Sequence, residues 1–289
     1  MEEYADLHCH LSGSIAATTF SVHGTMPLDD YLGSPFKDVE HRHGSHELFE
    51  ADVHELAGRL KHYTEIRFNP LRRIQSGLSL PDMASAMAGA MRLNNRLKFI
   101  MTLSREDGVE QYGEAARILG QAPFCGVDLA GREVPEEHEL NSAWFGETME
   151  FFGDVGRYVG ITYHVGETGS FESIRRVVEI LGDIRIGHGL GLVSAPDSFY
   201  HDYRFSVEVC PTANLKTLTA TGQTLKTHIR RLMYHQTPFC FNTDSPKFLE
   251  TDIVREHLIG ETLVRDSASY SRRSASRMRF TKYVDEQPA

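Results

Sequence analysis

Residues 158–189 read YVGITYHVGETGSFESIRRVVEILGDIRIGHG. An apolar, β-branched run (158–165) gives way to a helix-period segment (171–182) and then to a second apolar run (184–189). Two neighbouring parallel strands need a crossover between them, and a helix is the usual one. The stretch therefore reads as strand, helix, strand. The same rhythm extends in both directions. Apolar runs at 4–11, 63–69, 97–104, 124–130, 205–210 and 238–244 bring the strands to eight. Helix-period segments at 81–96, 106–120, 139–156, 225–236 and 250–267 lie between them, with Pro81 marking a helix start. Eight repeats in 289 residues predict an α/β fold, a (β/α)8 TIM barrel, as a single domain over 1–289.

No linker divides the chain. The least regular part is 13–47, which follows the first strand and is expected as an irregular, reduced lid over the C-terminal mouth of the barrel. Its histidines His41, His43 and His46 read as a solvated polar loop. The segment 270–289 reads as a C-terminal tail, a last helical turn followed by a frayed end.

Composition narrows the function classes. The formal net charge is −10 and the hydrophobic content 40 %, so a core is affordable and polyanions are poor partners. No run approaches the roughly 20 apolar residues of a membrane span. Met1 is followed by Glu2 and Glu3, with no basic leader, so the expectation is a cytoplasmic protein with no membrane or nucleic-acid partner. Cys9, Cys125, Cys210 and Cys240 are far apart and read as reduced, buried thiols.

The unusual residues fall at strand ends. His8 and His10 end the first strand and share a face, while Cys9 points the other way. His164 ends the fifth strand, His188 the sixth and Asp244 the eighth. In a barrel all these ends meet at one mouth. Imidazoles with one carboxylate form an N/O ligand set that suits zinc and also cobalt, iron or nickel. A further histidine can orient or deprotonate a water. Glu167, three residues past His164, either delivers a proton to a substrate atom or caps the helix that begins near Ser170. The set reads as metal-assisted hydrolysis.

The motifs DLHCHLSGSI, YTEIRFNP, LSRE, GVDLAGRE, HVGET, RIGHG, EVCPTANL and NTDSP, in this order, resemble those of the adenosine deaminase family of metal-dependent aminohydrolases. The resemblance runs through most of the chain. It implies one zinc ion per chain held by His8, His10, His164 and Asp244. It implies that Glu167 protonates purine N1 and that His188 assists the attacking water. Gly131 would offer its backbone to purine N3. The partner would be a small purine, a 6-aminopurine nucleoside or nucleotide, converted to the 6-oxopurine and ammonia. The other zinc deaminase pattern, HxE followed by PCxxC, is absent.

Two positions depart from the family pattern. Ser12 stands where an acidic residue usually contacts the ribose 5′ end, and Ser245 where an Asp usually pairs with purine N7. Both are expected to bind substrate. Loss of the acid at position 12 removes repulsion toward a 5′-phosphate, with Arg72, Arg73 and Lys247 as candidate counter-charges. Two further readings are a hydrolase of a free base or non-purine ring amine, and a catalytically silent purine-binding module.

Overall fold

The computed structural model describes residues 3–133, 142–168 and 170–280. Its eight strands pair in parallel, each with the next in sequence. They are β1 (Ala5–His10), β2 (Tyr63–Phe68), β3 (Leu97–Ser104), β4 (Phe124–Ala130), β5 (Gly160–Val165), β6 (Ile184–His188), β7 (Phe205–Val209) and β8 (Phe239–Phe241). Beyond β8 the chain returns to β1. The His10 amide donates to the Asp244 carbonyl at 2.6 Å, and the Asp244 amide donates to the His8 carbonyl at 2.8 Å. The cylinder is thereby nearly closed, and Asp244 is fixed beside the HxH strand. Among the described residues no helix is long and apolar enough to cross a membrane.

The helices follow the strands. After β1 come α1 (Leu28–Tyr31), α2 (Ser34–Arg42) and α3 (His46–Arg59). After β2 come α4 (Pro70–Gln75) and α5 (Leu80–Leu93), then α6 (Tyr112–Leu119) and α7 (Ala143–Val155). The rest are α8 (Phe171–Leu181), α9 (Asp197–Asp202), α10 (Pro211–Lys216), α11 (Gly222–Tyr234), α12 (Ile253–Leu263) and α13 (Ser267–Met278). Side-chain caps start many of them: Ser45, Asn69, Ser79, Ser142, Ser170, Thr221 and Asp252 each accept from an amide three residues on. Such caps satisfy an otherwise orphaned donor and contribute about 1 kcal/mol each.

Strand alternation divides the interior in two. One set of side chains, including Ile66, Phe68, Phe99, Met101, Val127, Leu129, Tyr163, Ile186 and Val207, joins the helices in one large apolar core. The alternate set on the same strands is charged: Glu65, Arg67, Asp128, Arg185 and Glu208 are all buried. The lumen of this barrel is therefore an ion-pair network rather than the usual stack of branched apolar residues. Phe280 closes its lower end, with the Arg185 guanidinium 3.5 Å from the ring centroid. Gly126 and Gly160 make room for that ring, since a Cβ on either would overlap it.

Three expectations are corrected. The segment 13–47 is not an irregular loop: α1, α2 and the start of α3 fall in it, and it packs on a small core of its own. There Tyr31, Phe248, Leu249, Val22 and Ala213 are buried and Phe20, Met26, Leu32 and Phe36 pack against them. His43 is not solvated but fully buried, with Nε2 donating to Asp52 at 3.1 Å. The first part of the expected tail, 270–278, belongs to the helix α13, whose Ser271, Ser274, Ala275 and Met278 are buried. Small residues allow close approach there, and their low hydrophobicity hides the packed face from a periodicity reading. Residues 281–289 lie outside the described residues.

Burial also sets a pH response. Glu256 on α12 accepts the Thr212 amide at 3.0 Å, and burial raises its pKa from 4.5 to about 7. Burial likewise raises Asp6 to about 7, opposed by its bonds to Thr243. A carboxyl raised on folding stabilises fully below its unfolded pKa and loses that contribution as pH rises through the folded one. Each group then costs about 1 kcal/mol per pH unit between its unfolded value and about 7, and the loss levels off above that. Melting curves should show the protein less stable at pH 8 than at pH 6, and Glu256→Gln should remove about half of that fall. Parallel curves for the two proteins would refute it.

Candidate active site

The strand ends place His8, His10, His164, His188, Asp244 and Glu167 around one cavity of about 290 Å³, and all but His8 contribute directly to its lining. His8 lies beneath, fully buried, with its ring centroid 4.5 Å from that of His164 and 4.9 Å from that of His188. Ligand atoms of His8, His10 and His164 lie within 4.8 Å of one another. His8 also belongs to a second such group with His188, Cys210 and Asp244. Burial keeps the Cys210 thiol well above its ordinary pKa, and its Sγ lies 3.8 Å from the Glu208 carbonyl.

The donor set fits a divalent metal. His8 Nδ1 donates to Glu208 Oε2 at 2.9 Å, and His164 Nδ1 donates to Asp128 Oδ1 at 2.9 Å. Each carboxylate fixes the tautomer, so that Nε2 carries a lone pair toward the cluster. His8 Nε2 is buried there without a hydrogen-bond partner. His10 Nε2 and His164 Nε2 face each other at 3.3 Å. Burial lowers the pKa of His8 and His10 well below the ordinary value, so both are neutral, while at His164 burial is outweighed by the Asp128 carboxylate and the pKa is raised. Lone pairs gathered without donors are unfavourable unless a cation lies between them.

His188 is held differently. Asn214 Nδ2 donates to its Nδ1 at 3.1 Å, so Nε2 carries the proton. That nitrogen lies 3.7 Å from both Glu167 Oε1 and Asp244 Oδ2. Burial lowers His188 to about 4, so it is neutral at pH 7. His188 and Asp244 both have left-handed backbones, with φ of 62° and 61°. Such conformations cost about 1 kcal/mol or more for these residues and are characteristic of functional sites. Gly187, just before His188, is favoured by crowding: a Cβ would meet His8 Cε1 and the His164 Cα, each at 3.2 Å.

Glu167 does not cap α8; Ser170 does. It sits on the loop after β5, 8 % exposed, and burial raises its pKa to about 8, opposed by His164 and aided by Asp244. At neutral pH it holds a proton. The loop is pinned by Glu133, whose carboxylate accepts from the Gly166 amide and from the Thr168 amide at 2.9 Å.

The remaining expectations divide. Ser12 and Gly131 line the cavity, and Gly131 needs its φ of 100° to do so. Ser245 does not line it: the side chain is fully buried behind Asp244, donating to Oδ1 at 2.9 Å. Lys247 is corrected too, because it is exposed and lines a different depression with Leu56, Arg59 and Asp252. Arg72 and Arg73 both line the cavity. Arg72 is already paired, with Glu106 at 3.3 Å, Asp107 at 3.5 Å and Glu40 at 3.6 Å.

Several residues escaped the sequence reading. Tyr31 donates to Asp244 Oδ1 at 3.3 Å, and Phe36 covers His10 with ring centroids 6.2 Å apart. Both come from the lid. Asp128 and Glu208 had a signal: a lone carboxylate between apolar neighbours in VDL and VEV must be buried and paired.

Comparison with known proteins agrees with this geometry. The family model described as adenosine deaminase matches residues 45–280. The adenosine deaminase of Clostridium kluyveri is 27 % identical over an alignment covering 87 % of this chain and 81 % of the relative. Among solved structures, the Arabidopsis protein ADAL complexed with IMP superposes with a TM-score of 0.73 at 17 % identity, covering 97 % of this chain and 93 % of that one. An amidohydrolase from Burkholderia ambifaria with bound zinc gives 0.68 at 18 % identity, covering 98 % and 92 %. At such identities these two structures speak for the fold alone.

Proposed function

Because the chain belongs to the adenosine deaminase family, we propose that this cavity hydrolytically deaminates a 6-aminopurine carried on a sugar, with His8, His10, His164 and Asp244 holding one zinc ion. The protein is a hydrolytic aminohydrolase. The observation that carries the substrate reading is Glu167, a buried carboxylic acid kept protonated at neutral pH across the cavity mouth from converging imidazole lone pairs. An aminopurine resists attack at the carbon bearing the amine until the adjacent ring nitrogen is protonated. Acid on one side and nucleophile on the other is what that reaction requires.

Zinc, when bound, makes hydroxide available at neutral pH. The protein's own groups do the rest. Glu167 gives its proton to the ring nitrogen as oxygen adds to the neighbouring carbon. His188 directs Nε2–H toward that oxygen and holds it against the ring. The proton of the added hydroxyl then passes to the amine, the carbon–nitrogen bond breaks, ammonia leaves, and the 6-oxopurine remains. Tyr31 and Phe36 cover the cavity and exclude bulk water. Glu208 and Asp128 keep the ligand imidazoles in one tautomer throughout.

The test is a screen of adenine, adenosine, deoxyadenosine, AMP and N6-substituted analogues with zinc present. Absorbance should report conversion to the 6-oxopurine with stoichiometric ammonia. A chelator should abolish turnover and added zinc should restore it. Tight purine binding with no ammonia from any substrate would favour the silent binding module instead.

A further inference from the structure

Besides Arg67, the cavity lining holds a second fully buried cation that the proposed chemistry does not use. Arg73, on α4, is 1 % exposed yet lines the same space as His10, His164 and Glu167. Its Nε donates to His43 Nδ1 at 3.2 Å, one terminal nitrogen to the Asn69 carbonyl at 2.9 Å and the other to Ser12 Oγ at 3.4 Å. A guanidinium has five N–H donors, so two remain. No carboxylate among the described residues forms an ion pair with it.

The acids nearby are committed elsewhere. Asp52 accepts from Arg42 Nε at 2.8 Å and from His43 Nε2 at 3.1 Å. Asp107 accepts from Asn69 Nδ2 at 2.7 Å and pairs with Arg72 at 3.5 Å. Glu40 pairs with Arg72 at 3.6 Å. Burial lowers His43 to about 4, so it is neutral and gives Arg73 a lone pair rather than a charge. At the rim, Arg132 pairs with Asp29 at 2.9 Å, and Lys37 adds positive charge. Burial lowers Arg73 to about 10, which leaves it protonated at neutral pH. A buried charge held by neutral hydrogen-bond partners and the face of the Phe68 ring, with only the longer-range pull of Glu40, is a costly arrangement, and an incoming anion relieves it.

We propose that Arg73 and Ser12 form an anion subsite of the substrate cavity, so that the protein prefers a 6-aminopurine bearing a sugar phosphate over the uncharged nucleoside. The inference rests on the purine reading above. A purine whose reacting carbon faces Glu167 and the imidazoles must extend its sugar along the same cavity, and phosphate is the anionic group a nucleotide adds there. A neutral residue at position 12 is essential to this. A carboxylate in its place would neutralise Arg73 itself.

Product binding tests the subsite without turnover. Titration calorimetry of the zinc-loaded protein should show IMP binding about 10- to 100-fold more tightly than inosine, as expected for charge-assisted hydrogen bonds. Turnover should show the same order, AMP above adenosine in kcat/KM. Arg73→Gln should bring the IMP-to-inosine ratio within about threefold. Should that variant fail to fold, Ser12→Asp keeps the buried arginine and should collapse the ratio equally, with folding checked by circular dichroism. Equal affinity for IMP and inosine in the unaltered protein, or an unchanged ratio in Ser12→Asp, overturns the subsite while leaving the purine reading intact. If neither product binds and no 6-aminopurine is deaminated, the purine reading fails and the subsite with it.

Discussion

Glu167→Gln should lower kcat for deamination by about 10³-fold, the range in which positioned acids contribute. Glutamine matches the carboxylic acid in size and can still hydrogen-bond the ring nitrogen, but it has no proton to give. The affinity for the oxopurine product should therefore stay within a few fold, and zinc content should not change. The acid stands 3.7 Å from His188 Nε2, on a loop clamped by Glu133, so the variant has little freedom to rearrange. Steady-state kinetics by absorbance, with calorimetry for product binding, separates the two effects. A loss below tenfold would mean that another group supplies the proton. A parallel loss of product affinity would mean that Glu167 binds rather than protonates.

Glu208→Gln should have the largest effect on the scaffold. One carboxylate serves four partners: His8 Nδ1 at 2.9 Å, Arg67 at 2.9 Å, Thr162 Oγ1 at 3.1 Å and, through its other oxygen, Arg185 at 2.8 Å. All of these groups are buried in the lumen. Removing the charge leaves two buried arginines to share Asp128 and Glu65. Breaking a buried pair this way costs about 3–5 kcal/mol, on the order of 10 °C in melting temperature for a chain of this size. It also loosens the His8 tautomer, and loss of such an orienting partner lowers metal affinity by about 10- to 100-fold. Thermal melts and chelator competition for zinc measure the two separately. A variant that melts within 2 °C of the parent, or holds zinc as tightly, would show that the lumen network does not organise the site.

The two variants act at different depths, and so did the sequence. Apolar, β-branched runs located all eight strands, with ends mostly within two residues of those in the structure. His8 and His10 were legible because a strand puts alternate residues on one face. Convergence of His164, His188 and Asp244 with them followed from barrel geometry alone. What was harder to see was anything whose environment comes from distant segments. Arg72 and Arg73 are adjacent and chemically identical in the sequence. One is ion-paired with three carboxylates and the other has no ion pair among the described residues, because α2 and the loop after β3 bring Glu40, Glu106 and Asp107 within pairing distance of only one of them.

The lid shows the same limit. Its helices are short and weakly periodic, and they are held by the buried aromatic cluster of Tyr31, Phe36 and Phe248 rather than by local propensity. Ser245 follows Asp244 directly and Lys247 comes two residues later, yet one lies fully buried behind that carboxylate and the other on a different surface.

The sequence by itself determined the strand–helix order, the eightfold repeat and the residue types that meet at the barrel mouth, because these depend on period and on closure of a parallel sheet. Only the tertiary structure decided which imidazoles present lone pairs, which carboxyl keeps its proton and which arginine has no ion pair among the described residues. Those properties depend on burial and on partners contributed from across the fold, and no local stretch of chain carries that information.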